Sequence, residues 1–134
     1  MYNLFLDDFR MPEDAFEHTH IPVYILIDDW VIARNYDEFV KIIQERGIPE
    51  IVSFDHDLAD SHYDNPKDIP YDQYVEKTGY HCAKWLIYYC IDNKKELPPT
   101  ILIHSMNVGG SLNIKSLFDT YHKSLNLPSS TTCS

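Results

Sequence analysis

Three apolar runs in this chain end directly in groups that can do chemistry. YNLFL is followed by Asp7-Asp8, IVSF by Asp55-His56-Asp57, and TILI by His104-Ser105. Carboxylates crowded together repel one another unless a cation lies between them. Hard oxygen ligands suit Mg²⁺ or Mn²⁺, which keep several waters and often touch a substrate phosphate. Asp7, Asp8 and Asp55 are therefore expected to hold a divalent ion. Taken singly, each acid reads as a cap or turn residue; three acid-bearing or imidazole-bearing run ends together favour one shared site.

His56 and His104 are the two of seven histidines at run ends. An unperturbed pKa near ~6.5 suits such a pair to act as general base and general acid on a phosphate, in an order the sequence leaves open. Asp57 is expected to orient a water or a histidine. Arg10, Ser105 and Asn107 are expected to steady phosphate oxygens, the arginine through its two-pronged geometry and the others near the start of the last helix. Arg34 is a weaker case of the same kind. His81, on the first turn of a helix, is an outside candidate; His18, His20, His62 and His122 are expected at the surface.

The elements that must position these groups alternate. Residues 2–6, 51–55 and 100–104 read as strands. Residues 9–22, with Pro12 and Pro22, read as irregular, and 23–27 and 30–34 as two extended segments of a hairpin. Asn35 and Glu38 form a capping signature for a helix that stops at Gly47. Thr78 opens a second helix carrying the stripe Ala83, Leu86, Ile87, Cys90 and Ile91. A third follows Gly109-Gly110-Ser111. Residues 59–77 read as a long polar binding loop or lid, whose Tyr63 and Tyr71, with Trp30, could stack a base; Trp85 is expected to pack on the sheet.

Alternating strands and helices mean a parallel sheet covered on both faces, with ligands at the carboxyl ends of the strands. The 134 residues, 44% hydrophobic, form one domain, expected over 1–126 with a flexible tail over 127–134. The net charge of −10 argues against an extended double-stranded nucleic acid partner, though not against a nucleotide or an RNA end. No run is long enough to span a membrane, and the start lacks the basic region of a signal peptide. Three cysteines, none spaced as CxxC, suggest reduced thiols in a cytoplasm.

LFLDDFRMP, IVSFDHDLAD, TGYHCAKW and LIHSMN, in this order, resemble the cyclic-phosphate-processing receiver-like domains, a family that includes proteins of tailed bacteriophages. The resemblance runs from about Tyr2 to about Tyr121. It implies a three-layer, receiver-like (flavodoxin-like) α/β fold, with a mostly parallel sheet of about four or five strands flanked by helices. A receiver carries an acid pair after strand one, an Asp after strand three and a Ser or Thr after strand four, here Asp7-Asp8, Asp55 and Ser105. A fifth strand with its Lys is not evident, and His56 and His104 depart from the receiver pattern. The combined expectation is a cytoplasmic, metal-assisted phosphoesterase, in the host cytoplasm if viral. It would open a cyclic phosphate on an RNA 2′,3′-end or a nucleotide. The alternative is an inactive module that binds a nucleotide, RNA or protein.

Overall fold

In the computed structural model, residues 2–58, 78–124 and 131–133 are described; the 59–77 loop, with Tyr63 and Tyr71, lies outside them. Five strands form one parallel sheet: β1 (Asn3–Leu6), β2 (Trp30–Ala33), β3 (Ile51–Phe54), β4 (Thr100–Ile103) and β5 (Thr131–Cys133). Their order is β2-β1-β3-β4-β5. The helices are α1 (Pro12–Thr19), α2 (Val23–Leu26), α3 (Tyr36–Arg46), α4 (Gly79–Asp92) and α5 (Val108–Ser124). This is the receiver-like α/β fold.

β1 and β3 are buried at every position, which is why they read as unbroken apolar runs rather than alternating ones. The connection β1→β2 runs one way across the sheet and the later three run the other way. Right-handed crossovers therefore put α1 and α2 on one face and α3, α4 and α5 on the opposite face. The side chains agree. Leu4, Leu6, Val52, Phe54, Ile101 and Ile103 join Phe39, Leu86 and Phe118 in the larger cluster. Phe5, Ile51 and Leu102 join Ala15 and Tyr24 in the smaller one.

α3 follows the sequence closely. The Asn35 side chain accepts the Glu38 N–H at 2.8 Å, and Gly47 closes the helix at φ +90°, a left-handed value that favours glycine. Trp85 packs against the larger cluster and stacks on Tyr89.

Four expectations are corrected. Residues 12–19 are a helix: Pro12 occupies a first-turn position, where its missing N–H costs nothing, and the Asp14 carboxylate accepts the Met11 N–H at 2.8 Å. Residues 23–26 form a helical turn, not half of a hairpin, and this puts Tyr24 under the sheet. A fifth strand is present where a flexible tail was expected: Ile101, Leu102 and Ile103 pair in parallel with Thr131, Thr132 and Cys133. Three residues are too short a run to stand out without the β4 edge as a template, and this strand carries no Lys. His122 is buried rather than exposed.

α4 approaches the end of β3 so closely that the Gly79 N–H donates to the His56 carbonyl at 2.7 Å. A Cβ at position 79 would overlap the Asp55 carbonyl oxygen. That obstacle is backbone and cannot swing aside. Gly79→Ala is expected to cost about 3 kcal/mol, read as a fall in Tm of roughly 10 °C in a thermal melt.

Candidate functional site

The ladder aligns Leu6 with Phe54 and Phe54 with Ile103. Pairing continues one residue further: the Asp55 N–H donates to the Leu6 carbonyl at 3.0 Å and the His104 N–H to the Phe54 carbonyl at 2.9 Å. Asp7, Asp55 and His104 thus stand side by side at the carboxyl ends of three neighbouring strands, where the strand order reverses between β1 and β3. One ligand atom from each lies within 4.8 Å of the others. Asp7 and His104 are 0% exposed and Asp55 is 5% exposed.

Asp7 is held from both ends. Its Oδ1 accepts the Phe9 and Arg10 N–H groups at 3.0 and 2.8 Å, and its Oδ2 accepts from His104 Nε2 at 3.0 Å. Burial opposes its charge, but these hydrogen bonds outweigh burial and hold the carboxyl below its ordinary range. Of about four lone-pair sites on a carboxylate, three are used and one remains for an ion.

His104 stacks on Phe5 with ring centroids 4.4 Å apart, and its carbonyl is a partner of His18 Nε2. Burial lowers its pKa, so the ring is neutral. Its proton lies on Nε2, toward Asp7. Nδ1 then accepts from Ser53 Oγ at 2.7 Å, and Ser53 in turn accepts from the Tyr24 hydroxyl at 2.7 Å. Burial raises the Tyr24 pKa and keeps that hydroxyl protonated. The relay Tyr24–Ser53–His104–Asp7 therefore runs in one direction.

Asp55 behaves oppositely. Burial, then the charge of Asp7, push its pKa up to about 7, against hydrogen bonds from the His56 N–H and Ser105; Asp8 adds further repulsion. Asp55 thus feels the charges of both Asp7 and Asp8, and a cation would relieve that repulsion. The carboxylates of Asp7 and Asp55 share the 4.8 Å group and as hard oxygen donors suit Mg²⁺ or Mn²⁺; Asp8 lies outside that group, and His104, whose Nε2 proton is engaged with Asp7, does not fit as a ligand in this arrangement.

The second imidazole is in different surroundings. His56 is one residue past Asp55, so strand alternation turns it to the other face of the sheet. Its ring lies against Gly110 so tightly that a Cβ there would overlap it. His56 Nδ1 donates to Asp57 Oδ1 at 2.9 Å; the side chains are 18% and 67% exposed. Asn107 Nδ2 lies 3.3 Å from both Asp57 oxygens, while Asn107 Oδ1 accepts the Gly110 N–H at 2.9 Å. Asn107 thus caps α5 and steadies Asp57 at once. The Ser105 hydroxyl accepts the Asn107 N–H at 3.1 Å.

The expected pairing of His56 with His104 as acid and base is corrected: a fully buried ring with both nitrogens engaged has no surface to offer a substrate. Arg10 sits at the mouth with its guanidinium 5.0 Å from the Phe9 ring centroid and one nitrogen 3.4 Å from Met106 Sδ. Arg34 donates to the carbonyls of Asp7 and Arg10 at 3.2 and 2.7 Å, so it fixes the loop after β1 rather than a phosphate. Tyr24 and Ser53 were not anticipated. A serine inside the buried run IVSF was the available signal; Tyr24 had none, because its segment read as a strand.

The sequence matches the Cyclic-phosphate processing Receiver domain over residues 2–120. The chain belongs to that family. Asp7-Asp8, Asp55 and Ser105 follow β1, β3 and β4 of a sheet ordered β2-β1-β3-β4-β5, the strand order of one common doubly wound fold. No curated protein and no solved structure matches the chain. Among the described residues of this receiver domain, no helix is long and apolar enough to cross a membrane.

The raised Asp55 pKa has a sign that can be worked out. Between the ordinary value of 3.8 and about 7, the folded state binds a proton that the unfolded state has released. In metal-free protein this contribution to stability is full below the ordinary value and is lost as pH rises through about 7. Asp55→Asn, neutral at every pH, is expected to stabilise the chelated protein by about 2 kcal/mol at pH 8 and by much less at pH 5, measured by denaturant unfolding at both pH values.

Proposed function

We propose that this receiver domain is a phosphoesterase that opens a cyclic phosphate, on an RNA 2′,3′-end or a nucleotide, with the help of a divalent ion. The observation that carries the reading is the His56–Asp57 pair placed one residue beyond a buried, mutually repelling carboxylate cluster. Asp7, Asp55 and Asp8 would hold Mg²⁺ or Mn²⁺, and the ion would supply polarisation of a phosphoryl oxygen and a more acidic bound water.

The chain's own residues do the rest. With Nδ1–H given to Asp57, His56 keeps its Nε2 lone pair and takes a proton from the attacking water. Asp57 stabilises the imidazolium that results, as a buttressing carboxylate does in hydrolytic triads. As water adds to phosphorus, the ring P–O bond breaks. The imidazolium returns its proton to the leaving oxygen, so one water is consumed and one monoester is formed. His104 is a positioning residue that holds Asp7 in place. Arg10 steadies the phosphate from the mouth of the site, and Ser105 and Asn107 act through Asp55 and Asp57.

The test is turnover of 2′,3′-cyclic mononucleotides, a cyclic-phosphate-ended RNA and 3′,5′-cyclic nucleotides with Mg²⁺, Mn²⁺ or EDTA. Product is expected with metal and is expected to vanish with EDTA. His56→Ala is expected to lower kcat at least 100-fold in a sample that still melts cooperatively. Full turnover by that variant would sink the mechanism; activity that survives chelation would remove the ion from it; tight nucleotide binding with no product would favour a binding module.

A further inference from the structure

Beyond Asp7 and Asp8, the loop after β1 presents an aromatic ring to water. Phe9 is 67% exposed, although phenylalanine is among the residue types most often buried. A loose backbone does not explain this. The Phe9 and Arg10 N–H groups both donate to Asp7 Oδ1, at 3.0 and 2.8 Å, and Arg34 donates to the carbonyls of Asp7 and Arg10 at 3.2 and 2.7 Å. The chain is pinned before and after Phe9, so the ring stands outside the core in a fixed place. The carboxylate that pins it belongs to the buried cluster itself.

One cation lies against the ring. The Arg10 guanidinium carbon is 5.0 Å from the ring centroid, and a guanidinium nitrogen is 3.4 Å from Met106 Sδ. Met106 is also exposed, two residues past His104. The loops after β1 and β4 thus meet through Arg10 at the mouth of the site. Among the described residues Arg10 pairs with no carboxylate, on a chain of net charge −10. A single guanidinium covers one face of a ring, and the exposure of Phe9 leaves the other face open.

An open π-face beside a guanidinium without a carboxylate suits a ligand that carries both a base and a phosphate. Stacking on an aromatic side chain strengthens binding on the order of tenfold or more per base, whatever the base, because every base has a π-face. The placement fits as well. Phe9 is two residues from Asp7, so their Cα atoms are at most ~7 Å apart, and a base stands one sugar away from its phosphate. Inorganic phosphate or a base-free ester would gain nothing from the ring.

We propose that Phe9 is a specificity-determining residue whose open face stacks the base of the cyclic ester, with Arg10 held between Phe9 and Met106 as its backing. The inference rests on the phosphoesterase reading, which puts the phosphate at the strand ends. It narrows the substrate to nucleoside cyclic phosphates over base-free ones, with tolerance for the identity of the base.

The experiment is calorimetric binding, with Mg²⁺ present, to the full chain, Phe9→Ala and Phe9→Trp. The ligands are adenosine 3′-monophosphate, cytidine 3′-monophosphate and glycerol phosphate, which has no base. Both substitutions keep the backbone N–H that holds Asp7. The two nucleotides are expected to bind the parent protein at least tenfold tighter than glycerol phosphate. Phe9→Ala is expected to erase most of that margin and Phe9→Trp to keep or widen it, each in a sample that melts as cooperatively as the parent. No margin in the parent, or one that survives Phe9→Ala, overturns the stacking role. A fall of equal size for all three ligands makes Phe9 a support for Arg10 and overturns that role too. A margin confined to one base overturns the tolerance. Turnover of cyclic nucleotides with no margin sinks the stacking role alone, whereas a margin without turnover sinks the phosphoesterase reading alone.

Discussion

Parallel register across β1, β3 and β4 is the constraint on which this site depends. Two backbone hydrogen bonds beyond the last strand residues, from Asp55 to Leu6 and from His104 to Phe54, carry the alignment into the loops. Neighbouring strands lie ~4.8 Å apart, so three residues at matching positions become contacts with no further device. A slip of one residue in any strand would turn its polar group to the other face and leave the partners buried without it. Strand pairing in the core thereby sets the chemistry at the edge.

The cluster is a liability that the surroundings answer unevenly. An unpaired buried charge costs several kcal/mol. Asp7 avoids this through two backbone N–H groups and His104, whose own second nitrogen is engaged by Ser53 and then Tyr24. Every proton in that line has one direction, and the line ends inside the smaller hydrophobic cluster. Asp55 receives less support and is left with a carboxyl that titrates near neutrality. A site with one settled and one unsettled carboxylate has an unmet electrostatic demand, which a divalent ion and a phosphate could together satisfy.

The two histidines divide the labour by face. Alternation along the strands sends His104 toward α1 and α2, where it is sealed by Phe5, and His56 toward α4 and α5, where it borders a groove. Glycine makes the second placement feasible: Gly79 lets α4 meet the end of β3, and Gly110 leaves room for the His56 ring. Asn107 links the parts by capping α5 while holding Asp57. In the proposed reaction the buried half of the site is the fixed scaffold and the exposed half the reactive lip.

Much of this was legible before any coordinates. Apolar runs ending in Asp7-Asp8, Asp55-His56-Asp57 and His104-Ser105 marked three of the strands and the candidate site at their ends, because a buried parallel strand needs no alternation and its ligands lie at its carboxyl end. The capping signatures at Asn35 and Thr78 are local and were equally clear. What tertiary structure decided was everything that depends on partners distant in sequence. VYIL became a helical turn because burying Tyr24 against Ser53 and Trp30 outweighs the preference of β-branched residues for strands. Three tail residues became a strand because β4 had an open edge. And the separation of His56 from His104 followed from which face each strand end presents, a property of the assembled sheet that residue type alone does not carry.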